Sequence, residues 1–296
     1  MINGVLNIDK APGMTSHDVV AKVRRIAGQK KVGHAGTLDP DATGVLIVCL
    51  GHATRLADLL ADRGKTYRAV LCLGVTTTTE DGSGAVIDET NASHITKEAL
   101  MAAIPAFIGD IMQIPPMVSA VHHEGKRLYD LARQGITVER EARKIKIASI
   151  DLIDFTPGAR PTATLDVATG KGAYIRTLCA DIGAALGVGG HMAALRRTSV
   201  GVFGAGDASS VTLEQLAERS PAACVVAPSD AVSFLPLRTV AASELADLWN
   251  GKDLEGTGGN EAGQMVRMVS GDGELLALGR VTDDGAAVHP EKVFKD

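Results

Sequence analysis

The chain has 296 residues, 45% hydrophobic and 22% charged, with a formal net charge of -5. That length exceeds a usual single core, so two domains are expected, and no apolar run approaches the roughly 20 residues needed to span a bilayer. The first ten residues lack the charged start and long apolar run of a secretory leader, so a cytoplasmic location is expected. Four cysteines without C-x-x-C spacing read as reduced, buried thiols, with neither disulfide nor zinc.

In chain order, Ser16 is placed to cap a helix whose apolar positions Val19, Val20, Val23 and Ile26 follow helical spacing, with Gly28 ending it. A glycine-spaced loop over 33–44 follows, then a buried strand over 45–50 and another over 67–73, with 76–84 as a turn region. Thr96 caps a helix running to 108. The 114–144 segment, with Pro115-Pro116, many charges and few apolar residues, reads as a mobile projecting excursion that holds a short helix over 128–133 closed by Gly135. Strands over 145–155 and 162–168 precede an apolar-faced helix over 174–186. Strands and helices interleave without a regular βαβ repeat, which predicts an α+β fold. Prolines 221, 228 and 236 punctuate a boundary, giving domains at 1–228 and 229–296. The second is small and β-rich, with a helix over 244–249 and strands over 265–269 and 275–280.

Charge is unevenly placed: 23 Lys and Arg against 20 Asp and Glu over 1–206, but 7 against 15 over 207–296. Lys22, Arg24, Arg25, Lys30 and Lys31 form one basic cluster, Arg140, Arg143, Lys144 and Lys146 a second, and Arg196-Arg197 a third. Basic runs usually mark a solvated face, yet three of them beside candidate chemistry are compatible with phosphate contacts.

Several familiar chemistries are excluded. Gly170-Lys171-Gly172 lacks the spacing and hydroxyl of a P-loop, and Gly187-Val188-Gly189-Gly190 follows a helix rather than a strand, which removes a dinucleotide-binding reading. The histidines, including adjacent His122-His123, show no metal-ligand spacing, and there is no nucleophile elbow. What remains is Asp39, which Pro40 pushes towards an extended backbone while Leu38 anchors the loop and Gly33, Gly36 and Gly44 permit positive φ or close approach. An ordinary Asp-Pro turn is the plain alternative. Tyr67 in Lys65-Thr66-Tyr67-Arg68 and Tyr174 in Gly170-Lys171-Gly172-Ala173-Tyr174-Ile175-Arg176 set aromatics beside cations, as a base-stacking, phosphate-holding site requires. Taken alone, each tyrosine fits core or edge packing better than a binding role.

Six motifs occur in one order: Asp9-Lys10-Ala11-Pro12-Gly13-Met14-Thr15-Ser16, the 33–44 loop, Lys65-x-Tyr67, Gln113-x-Pro115-Pro116-x-x-Ser119-Ala120, the Gly170-to-Arg176 stretch, and His191-Met192-x-x-Leu195-Arg196-Arg197. In this the chain resembles the TruB family of tRNA pseudouridine synthases from about Gly4 to Gly201. The resemblance implies a mixed, mainly antiparallel central sheet flanked by helices, with a small PUA-like C-terminal domain. It also implies isomerisation of uridine 55 in the T-loop of tRNA, without cofactor or metal, by a monomer with no membrane or obligate protein partner.

By the same resemblance Asp39 is the essential carboxylate, whether it attacks sugar or base or removes a ribose proton. Tyr174 lies near carbon 5 for proton removal, and Arg176 pairs with the aspartate. Tyr67 stacks on the flipped base, Leu195 packs beneath it, His34 enters the T-loop, and Lys10 supports the Asp39 loop. His122 stands where a lysine is common, which gives the excursion a weaker or pH-dependent charge. Two other functions compete: an RNA-binding or tRNA-folding factor, suggested by the basic clusters, and a glycoside hydrolase, for which Asp41 is the only nearby second carboxylate.

Overall fold

In the computed structural model the first helix runs Ser16–Ala27, and its N-cap is Thr15 rather than the expected Ser16. Thr15 wins that place because it forms a reciprocal box with Asp18: the Asp18 N–H donates to Thr15 Oγ1 at 3.1 Å and the Thr15 N–H donates to Asp18 Oδ2 at 2.9 Å. Gly28, left-handed at φ 62°, ends the helix as the sequence predicts. Val19, Val20 and Val23 pack against Leu6 and Ile8 of the Gly4–Lys10 strand and against Leu46, Val48 and Leu50 of the Thr43–Leu50 strand. Each such burial contributes roughly 1.5–3 kcal/mol. Lys22, Arg24 and Arg25 stay exposed, which gives the helix one apolar and one basic face.

The structure describes residues 1–119, 122–123, 125–256 and 259–295, with the backbone alone at 122–123, 126–127 and 133, so the expectation for the His122 side chain lies outside the described residues. Two units divide the chain. The first comprises Met1–Pro40, Val45–Ala61 and Gly201–Asp296, and the second Asp41–Gly44 and Asp62–Val200.

In the first unit, Gly4–Lys10 pairs in parallel with Ser210–Val211, and Val32–Ala35 runs antiparallel to Thr43–Leu50. The same unit carries a five-stranded sheet in the order Leu237–Thr239, Met265–Val269, Leu275–Val281, Ala287–Val293, Leu254–Glu255. This is the β-rich C-terminal region expected from the turn spacing. Val266, Met268, Leu276 and Val288 form its core with Leu248 from the Leu245–Trp249 helix. Buried Arg238 is held by Glu244 Oε1 at 2.6 Å and donates to the Glu255 carbonyl at 2.9 Å.

In the second unit the strands are ordered Gly190–Val200, Lys65–Leu73, Thr162–Thr169, Arg143–Thr156, Gly109–Gln113, all antiparallel neighbours. Thr43 and Gly44 add a short parallel pairing with Arg196 and Arg197. The mixed, mainly antiparallel character expected from the resemblance is therefore present. The Ile175–Ala185 helix buries Ile175, Leu178, Cys179 and Ile182. Thr96 caps Lys97–Ala103 as predicted, but the helix continues as a 3-10 turn over Ile104–Phe107, because Pro105 has no N–H for another α-helical bond. Within 114–144, a Leu128–Arg133 helix buries Leu128 and Leu131. No helix among the described residues is long and apolar enough to cross a membrane.

Candidate functional site

Lys10, His34 and Asp39 lie in the first unit; Tyr67, Tyr174, Arg176 and Leu195 lie in the second. Half-buried Asp39 sits between two residues whose backbones are tied down. On one side, the Leu38 N–H donates to Ser16 Oγ at 2.9 Å, and that hydroxyl donates back to the Leu38 carbonyl at 3.2 Å. On the other, the Pro40 carbonyl accepts from Lys10 Nζ at 2.7 Å and from the Gly13 N–H at 3.0 Å. Lys10 is only 1% exposed, and its ammonium also donates to the Ala11 carbonyl at 2.9 Å. Ser16, which the sequence pattern placed as a cap, uses its hydroxyl on the loop instead. His34 lies on the Val32–Ala35 strand with its ring edge-on to His17, the centroids 5.1 Å apart. Asp41 is exposed.

In the second unit, strand register sets Tyr67 opposite Arg197 and Ala69 opposite Leu195, so Tyr67, Leu195 and Arg197 share one face of the sheet. Tyr174 immediately precedes the Ile175–Ala185 helix, and buried Gln113 grips its backbone twice, accepting from the Tyr174 N–H at 2.8 Å and donating to its carbonyl at 3.1 Å. Arg176, two residues on, is 4% exposed. Its guanidinium donates to the carbonyls of Val118 at 2.9 Å and Thr79 at 3.3 Å, and lies 3.6 Å from Asp81 Oδ2. Burial of a guanidinium demands such partners.

The basic clusters divide between surface and interior. Lys30, Lys31, Arg143, Lys144 and Lys146 are exposed, but Arg197, counted with them among the basic clusters in the sequence, is 1% exposed. Lys65 is likewise buried; loss of water, reinforced by the nearby Arg197 charge, pulls its amine down to about 8. A long cationic side chain on a sheet face with an inward register has nowhere else to go, and sequence spacing alone does not report which face is covered.

Asp81 was not singled out by the sequence, where it fell inside a turn region. Burial pushes its carboxyl up, but hydrogen bonds from Ser83 and Thr79 and the Arg176 charge outweigh that and hold it below the usual carboxylate range. Asp181, on the same helix as Arg176, goes the other way: burial, reinforced by the Glu80 carboxylate, raises it to about 6. A carboxyl raised in the folded state adds stability that is complete below its unfolded value of 3.8 and is lost as pH rises through about 6. Asp181→Asn is therefore expected to stabilise the protein at pH 7.5 by roughly 1 kcal/mol, the full shift being discounted because the group is half open to water. Urea unfolding at pH 4.5 and 7.5 checks this, since the gain should shrink at the lower pH.

Residues 24–175 match the family model described as TruB family pseudouridylate synthase (N terminal domain), and residues 176–230 match the tRNA pseudouridylate synthase B C-terminal domain. A tRNA pseudouridine synthase B from Heliobacterium modesticaldum is 45% identical, over 99% of this chain and 96% of that protein. Its namesake from Moorella thermoacetica is 42% identical over 100% of both. Among solved structures, a chain in a crystal structure of a Cbf5-Nop10-Gar1 complex is 32% identical, with a TM-score of 0.76 over 99% of this chain and 85% of that one. With both family domains matched and this identity along nearly its whole length, the chain belongs to the TruB family of pseudouridine synthases.

Proposed function

We propose that the chain isomerises uridine 55 in the T-loop of tRNA, by flipping the base out of the RNA and using the Asp39 carboxylate, without a cofactor. Conversion of uridine to pseudouridine is the activity of its family. In that reaction the glycosidic bond to N1 breaks, the uracil turns, and a bond to carbon 5 replaces it. Carbon 5 gives up a proton and N1 ends protonated, so nothing is oxidised and no group leaves the nucleotide. Such chemistry needs a positioned acid-base or nucleophilic group rather than an electron or group carrier.

The observation that carries this reading is the two-sided brace on Asp39. A carboxylate whose neighbouring residues are held by Ser16, Lys10 and Gly13 loses little entropy on reaching a reactive geometry. On this reading Tyr174 takes the proton from carbon 5, and Tyr67 stacks on the base with Leu195 beneath it. Arg176 contributes the buried positive charge of the site, and Lys10 supports the loop. His34 takes the place the base vacates, which offsets an unstacking cost of a few kcal/mol. The exposed Lys22, Arg25, Lys30 and Lys31 supply sequence-independent phosphate attraction for a tRNA partner.

The test is to incubate a T-stem-loop transcript with the purified protein and a metal chelator, then map pseudouridine along the RNA. Modification at position 55 alone is expected. Modification at another uridine, or dependence on added metal, would overturn the assignment.

A further inference from the structure

We propose that Glu80 is a positioning residue for the Arg176 site: its carboxylate latches the turn around it onto the helix that carries Arg176 and so aims Asp81 at the guanidinium. The inference rests on the proposed function, in which Arg176 belongs to the working site.

Glu80 is the one non-glycine residue with positive φ among the described residues, at 63°. A side chain of that size is disfavoured in the left-handed region, where glycine sits without steric cost, and the conformation persists only where surrounding contacts over-determine it. Those contacts are present on both sides. The Met192 N–H donates to the Glu80 carbonyl at 3.0 Å, and the Gly82 N–H donates to the Met192 carbonyl at 3.0 Å, so the turn is stitched to the Gly190–Val200 strand. The Glu80 side chain reaches the other way, where Thr177 Oγ1 donates to Glu80 Oε2 at 2.5 Å.

Thr177 is the residue after Arg176. Three consecutive turn residues thus engage two consecutive helix residues: the Thr79 carbonyl and the Asp81 carboxylate meet Arg176, and the Glu80 carboxylate between them meets Thr177. Asp81 is steadied within the turn by Thr79 Oγ1 at 2.6 Å and Ser83 Oγ at 2.6 Å, while Thr77 Oγ1 donates to its carbonyl at 2.7 Å. These local bonds shape the turn, and on its side-chain face the Glu80–Thr177 hydrogen bond and the Arg176 contacts join it to the helix. Glycine at position 80 would suit the backbone better and would lose that link. The glutamate is therefore explained by what its carboxylate holds, not by the turn it occupies.

This separation of backbone from side chain supplies the experiment. Wild type, Glu80→Gly, Glu80→Gln and Thr177→Val are compared for thermal midpoint and for kcat and KM on a T-stem-loop transcript. Glu80→Gly relieves the backbone, so its midpoint should equal or exceed that of wild type, while kcat falls about tenfold with KM within about twofold. Glu80→Gln keeps an oxygen for the Thr177 hydroxyl and should restore kcat to within about twofold of wild type. Thr177→Val should match Glu80→Gly in kcat, and the double variant should be no slower than either single one. A Glu80→Gly protein with wild-type kcat, or a Glu80→Gln protein as slow as Glu80→Gly, overturns the inference. If wild type itself forms no pseudouridine, the proposed function fails instead, and the two failures are distinguishable.

Discussion

Asp39→Asn is expected to slow pseudouridine formation by at least about a thousandfold while tRNA affinity stays within about threefold. The substitution is nearly isosteric, and both braces act on the backbones of Leu38 and Pro40 rather than on the Asp39 side chain, so the loop should keep its shape. What is lost is the negative charge and the lone pairs needed for attack or proton removal. Single-turnover mapping of pseudouridine with enzyme in excess reads the chemical step, and filter binding reads affinity. Residual activity near wild type would remove Asp39 from the mechanism, whereas loss of binding in step with loss of rate would make it a recognition residue.

Gly44→Ala is expected to destabilise the protein by at least about 3 kcal/mol, the largest stability effect of any single methyl addition in the 33–44 loop. Gly44 has φ +96°, and a Cβ there would fall 2.1 Å from the Arg197 carbonyl oxygen and 3.0 Å from the Arg197 nitrogen. The obstacle is the backbone of a paired strand, which cannot swing aside as a side chain would, because Gly44 and Arg197 are register partners. Gly33→Ala is the control. It lies on the Val32–Ala35 strand at the start of the same segment, with open space around the added carbon, and should change stability by less than about 0.5 kcal/mol. Urea midpoints for the two variants decide the matter, and equal midpoints would refute the steric account.

Most of the architecture could be read in the chain, because apolar periodicity reports which side of an element faces a core. The first helix, its Gly28 stop, the strand after the Asp39 loop, the strand that carries Tyr67 and the helix after Tyr174 all appear where the spacing puts them, to within a few residues. Ser16 shows the limit of local reasoning. Both Thr15 and Ser16 are good caps, and the choice between them turned on Asp18, which completes a box with Thr15. Freed from capping, Ser16 serves the loop 22 residues away. The cations show the same limit on a larger scale. Lys10, Lys65, Arg176 and Arg197 resemble Lys30 and Lys31 in the sequence, yet the first four are buried and the last two exposed.

By itself, then, the sequence determined the order of the elements, the fold class, the family likeness and the acid on which the proposed chemistry turns. Those follow from residue spacing and from motifs that keep their order along the chain. Only the tertiary structure decided that Asp39 is braced from both sides, that Gln113 grips Tyr174 from 61 positions away, and that Arg176 is met by a turn 97 residues earlier. The reason is physical. A buried polar group must find a partner, local pattern fixes which groups are buried only on average, and the chain's topology selects the partner from anywhere in the fold.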